Sequence, residues 1–153
     1  MRMRVFPLLC GIALAPIGCG TATTPVENLE FTVQVTPSVV APGTTAQVAI
    51  TVINRDARAI TIIEHDCGNI RVFTPAGAHV GPPNRPCSDD FQFRRLESNQ
   101  GMVLHDSWDG TGISTSTGGP SGRVPAGSYE LIAEVGAIGG IARSAPVTVQ
   151  VSD

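Results

Sequence analysis

A chain of 153 residues, 42% of them hydrophobic, has the length of one domain and enough apolar side chains to bury an ordinary core, which excludes a disordered protein. Seventeen Gly and twelve Pro, spread between apolar runs without a period, punctuate short strands joined by turns rather than helices. Ten basic residues, all Arg, stand against thirteen acidic ones, and the net charge of −3 argues against nonspecific nucleic-acid binding, which depends on neutralising phosphate.

The chain opens MRMR and continues VFPLLCGIALAPIG, a largely apolar run of fourteen residues. A membrane-spanning helix needs roughly twenty apolar residues, so this run is short for a span and has the size of a secretory h-region. Gly18 and Cys19 close it. The segment resembles the lipobox of bacterial lipoprotein signal peptides, in which a small residue precedes a cysteine that is diacylated and becomes the new N-terminus after cleavage. Ile17 and Gly18 suit the two positions before the cysteine, while Pro16 stands where such motifs usually carry Leu. The resemblance implies a signal peptide over 1–18, lipid on Cys19, a membrane partner through that anchor, and a place in the bacterial cell envelope outside the cytoplasm. An ordinary secreted protein or an uncleaved anchor are the alternatives. After Cys19, Thr, Ala, Pro and polar residues up to Asn28 have the composition of an extended, solvated tether.

Of the four cysteines, Cys10 lies in the h-region and Cys19 would carry lipid, which leaves Cys67 and Cys87. In an oxidising compartment such a pair most simply forms one disulfide, and closing a loop of about twenty residues is worth roughly 3 kcal/mol in the chain-entropy picture. A free reactive thiol is the other reading.

From residue 29 the dominant signal is alternation. In LEFTVQV, Leu29, Phe31, Val33 and Val35 point one way, and in AQVAITVIN, Ala46, Val48, Ile50 and Val52 do the same, with a Pro-Gly turn between the two runs. Further strands follow at 58–63, 69–73, 91–96, 102–108, 128–135 and 145–151. Seven or eight short strands and no helical period predict an all-β fold, an antiparallel β-sandwich over 29–153. Two connections are long. Residues 74–90 contain GPPNRP, a stiff insert that strands do not tolerate, and 110–127 is Gly/Ser/Thr-rich, with the composition of a mobile connector or a binding loop.

The order of motifs resembles the intracellular proteinase inhibitor (BsuPI) family over about 45–150. It is carried by Asn54 ending the second strand, a Val-Phe strand leading to Gly77, Phe91-Gln92-Phe93, Trp108-Asp109 closing a strand, and Gly127-Ser128-Tyr129. The resemblance implies an immunoglobulin-like sandwich and, by the family name, inhibition of a protease through an exposed loop at 77–90 or 110–127. Two features depart from the family: Gly68-Asn69-Ile70 replaces its usual Tyr-Asp-Phe, and the Cys67/Cys87 pair is additional.

Trp108, the single tryptophan, reads as a plug between sheets rather than a stacking platform, and Tyr129 as a tyrosine corner whose hydroxyl bonds the backbone. His65, Cys67, His79 and Cys87 lack the spacing of a zinc site, and Asp89, Asp90, Asp106 and Asp109 lack that of a calcium loop. His105-Asp106-Ser107 spells a triad, but neighbours on one strand face opposite ways, and Gly118-Gly119-Pro120-Ser121-Gly122 is not a nucleophile elbow. The expectation is therefore a noncatalytic module without cofactor or metal, for protein binding or envelope structure, whose partner is an envelope protein or a protease. Its candidate contact residues are Pro82, Pro83, Arg85 and Pro86, in a loop stiff enough to bind without a large entropy loss.

Overall fold

The computed structural model describes residues 25–64, 68–84 and 91–153. Cys19, Cys67, Cys87, Arg85 and Pro86 lie outside them. Pro25–Asn28, the last four residues of the expected tether, form a short 3-10 helix. Among the described residues no helix is long and apolar enough to cross a membrane.

Thirteen strand segments follow: β1 Leu29–Thr36, β2 Val39–Val40, β3 Ala46–Asn54, β4 Ile60–Glu64, β5 Ile70–Phe73, β6 His79–Gly81, β7 Gln92–Leu96, β8 Gly101–Trp108, β9 Thr111–Ile113, β10 Pro120–Arg123, β11 Gly127–Ala137, β12 Gly140–Arg143 and β13 Val147–Val151. The front sheet is β1-β3-β8, antiparallel throughout. The back sheet is built on β11. The first half of β11 pairs β13 on one side and β5 on the other, and its second half pairs β12 and β4. Outside these, β6 pairs β5 and β7 pairs β4, while β2 joins β13 in the one parallel pair among the described strands. So β4/β5, β6/β7 and β12/β13 are each one interrupted strand. Joined in this way the segments make an immunoglobulin-like antiparallel β-sandwich of seven strands, to which β2 and a β9–β10 hairpin are added.

The alternation predicted for the strands is what fills the space between the sheets. Val48, Ile50 and Val52 of β3 face Ile60 and Ile62 of β4, Ile70 and Val72 of β5, and Leu131, Ala133 and Val135 of β11, all of them buried. Trp108 is 2% exposed and meets Tyr129 edge to face at 6.0 Å, while the Tyr129 hydroxyl donates to Pro125 O at 2.7 Å. Both residues are the structural ones that the sequence predicts. Burial raises the Tyr129 phenol above its ordinary pKa.

Among the described residues one polar side chain in this core, that of Asn54, is wholly buried. Asn54 Nδ2 lies 2.9 Å from Arg58 O, 3.0 Å from Leu96 O and 3.2 Å from Glu97 O, and its Oδ1 accepts from Asp56 N at 2.9 Å. Its main chain donates to Gln100 O and accepts from Asn99 N. A buried polar group is tolerated when every donor and acceptor is met, and here the side chain fastens the β3–β4 turn to the β7–β8 turn.

The sandwich has two distinct ends. At the proximal end, where Pro25–Asn28 lies, are the start of β1, the end of β3, the start of β8 and the β11–β12 turn. At the distal end are Trp108, β2, the end of β6 and the start of β11. The eleven residues of β11 separate them by about 35 Å.

Candidate functional site

The two long connections named from the sequence meet at the distal end. The second, expected as a mobile connector, is a hairpin: β9 pairs β10 through Pro120↔Ile113 and Arg123↔Thr111, with Gly118 at φ 70° in its turn. The first carries β6 into Pro82, Pro83 and Asn84 through a cis Gly81–Pro82 bond. Asn84 N donates to Gly118 O at 3.0 Å, so the two connections are joined by main chain.

Close approach explains the glycine at the end of β6. A Cβ on Gly81 would stand 2.9 Å from Thr111 O and 3.0 Å from Trp108 Nε1, both fixed, because the indole donates to that same carbonyl at 2.9 Å. Only a residue without a side chain lets β6 lie against the indole.

Between the connections lies an open groove of about 570 Å³, lined by Thr45, Pro82, Pro83, Asn84, Ser107, Trp108, Asp109, Thr111 and Pro120. Trp108 supplies its buried floor, the prolines its stiff walls. The Asp109 carboxylate accepts from Thr111 N at 2.9 Å, and hydrogen bonds from Thr111 hold it below the usual aspartate range against the opposing effect of burial. Arg123 braces this end from outside the groove. Its guanidinium donates to Asp109 O at 3.0 Å, Val40 O at 2.6 Å and Ser152 O at 3.2 Å, tying the β8–β9 turn, β2 and the end of β13 together.

Of the expected contact residues, Pro82 is buried and Pro83 half-buried in the groove wall. The other candidates do not converge. Asp106 is buried on the inner face of β8 and accepts from Asn69 N at 2.6 Å and Ser107 N at 2.7 Å, whereas Asp109 sits past the strand end and His105 is exposed on the opposite face. Of the residues weighed for zinc only His79 is described, its Nε2 3.1 Å from Gly81 O. Among the described residues no three His, Cys, Asp or Glu are grouped to hold a metal ion. Sequence reasoning named both loops but not Thr45, nor the Asn84–Gly118 and Arg123–Val40 bonds, which span more than thirty residues and leave no local pattern.

No protein-family profile matches the chain, and no curated protein does. Similar solved structures include the β-glucosidase EmGH1 from Erythrobacter marinus, 14% identical over 81% of this chain and 15% of that one, with a TM-score of 0.46. The C-terminal domain of wzt is 10% identical over 82% of this chain and 74% of that one, with a TM-score of 0.48. The CARDB domain of the PF1109 protein from Pyrococcus furiosus, solved with di-metal ions, is 16% identical over 86% of this chain and 95% of that one, with a TM-score of 0.41. The chain thus spans about 15% of the β-glucosidase and nearly all of the CARDB domain.

Proposed function

We propose that this chain is a noncatalytic, lipid-anchored module of the bacterial cell envelope that binds another protein through the distal groove. The observation that carries the reading is the meeting of the 77–84 and 110–123 connections around one groove, joined by the Asn84–Gly118 bond. Stiff proline walls and main-chain bracing give a surface that loses little freedom on binding, which suits recognition of a protein segment. The lipobox-like Cys19 supports the anchor. On this reading the groove points away from the bilayer, because the chain leaves the sandwich toward Cys19 from the opposite end. A pull-down from envelope extract with the full chain should recover a partner that Thr45→Arg, a charge placed on the exposed groove rim, reduces about tenfold or more. Equal recovery by both baits would sink the groove as the binding site.

A second reading follows the BsuPI resemblance, with the same stiff loop filling a protease cleft. Its support is that Pro82, Pro83 and the Asn84–Gly118 bond hold the loop in one shape. Stoichiometric slowing of one member of a serine-protease panel, with the loop uncut, is the expected result; an unaffected panel excludes it.

A further inference from the structure

The outer face of the back sheet carries an apolar row where water is expected. Across four strands, Phe93 of β7 lies opposite Ile63 of β4, Ile63 opposite Gly136 of β11, and Gly136 opposite Ile141 of β12. Residues directly opposite in a ladder share a face, so the four form one stripe, pointing away from the core that Ile62 and Ala137 enter. Phe93 is 65% exposed and Ile141 60%, and Ile138, in the β11–β12 turn beside them, is 59% exposed. Phe91, just before β7, extends the stripe at 52%. Arg95 and Arg143, exposed on the same face, flank it, each paired with a glutamate.

The position of the stripe indicates what covers it. Val26, in the 3-10 helix where the described chain begins, packs beside β12, its Cγ2 3.8 Å from where a Gly140 Cβ would stand. Cys19 is six residues before Pro25, a reach of at most about 20 Å. A lipid on Cys19 therefore keeps the β11–β12 turn beside the bilayer. A second copy fits less well: four half-exposed side chains offer on the order of 400 Å², about half of what each partner of a stable dimer buries. Strand addition at β7 is also hindered by Arg94 and Arg95 on that strand.

We propose that the stripe centred on Phe93, Ile138 and Ile141 is a phospholipid-contact face, seated in the headgroup boundary and fixing the tilt of the domain on the membrane. The proposal rests on the lipid-anchor reading above. Flanking arginines suit such a face, since their stems lie along apolar surface while the guanidinium stays with the phosphates.

The test uses the full chain, purified from membranes with its lipid and reconstituted into phosphatidylethanolamine–phosphatidylglycerol vesicles carrying brominated acyl chains. The emission that Ile138→Trp, and independently Phe93→Trp, adds to that of the unaltered protein should fall by about half or more on contact with the brominated region. Trp108, buried at the distal end, serves as the unquenched reference in the unaltered protein. If both variants float with the vesicles and neither is quenched, the anchor stands and the contact face is overturned. If the unaltered protein does not float, the anchor reading fails and takes the contact face with it. Emission that shifts with protein concentration in the absence of lipid would overturn the proposal in favour of a second copy.

Discussion

Asn54 ties distant parts of this fold together, because its amide meets carbonyls from two turns nearly forty positions apart in sequence. Asn54→Ala leaves those carbonyls and Asp56 N without the partner they have now, at a cost of about 2–4 kcal/mol, seen as a lower midpoint in urea with an unchanged slope. Asn54→Asp should be worse, since a carboxylate oxygen would face oxygen acceptors where Nδ2 now donates. The sequence marks Asn54 as the end of a strand, and Trp108 and Tyr129 as structural, because each sits beside a local pattern. It does not mark what Asn54 holds. Leu96 O and Glu97 O come from the end of β7 and the turn after it, whose place beside β3 and β4 is visible only once the sheets are assembled.

Among the elements, the strands with strict alternation were legible: β1, β3, β8, β11 and β13 all lie within or across the runs read from the sequence. β4, β5 and β7 also fall on predicted runs, whereas β2, β6, β9, β10 and β12 were not read as strands. β6 and β12 hold three and four residues, too few for a period to emerge, and β9–β10 sits in a Gly/Ser/Thr run whose composition suits a connector. The break between β12 and β13 has a physical cause: Pro146 offers no N–H, and Ser144 Oγ instead accepts from Ala133 N at 2.9 Å while Ser144 N donates to Ala133 O. Arg123 holds the distal elements together through three carbonyls, so it acts as a brace. Arg123→Met should cost about 1–3 kcal/mol and raise amide exchange in β2 and at the end of β13. Arg123→Lys should recover little of it, because an ammonium cannot reproduce the fork.

At the scale of the whole molecule, the envelope location proposed above carries an expectation for Cys67 and Cys87, which lie outside the described residues. Mass spectrometry without reduction should show Cys67 joined to Cys87, and replacing both by Ala should lower stability by about 3 kcal/mol. Two free thiols would contradict the pairing. The groove was legible only in halves: proline stiffness singled out 77–90 and glycine content singled out 110–127, but their meeting depends on Trp108, Gly81 and Thr111 packing together at the sandwich end.

The eight residue pairs between β1 and β3, Leu29↔Asn54 to Thr36↔Gln47, also have a mechanical meaning. On a protein held by lipid before Pro25 and loaded by a partner at the distal groove, tension runs parallel to those strands. The pairs then bear the load together in shear instead of parting one after another like a zipper.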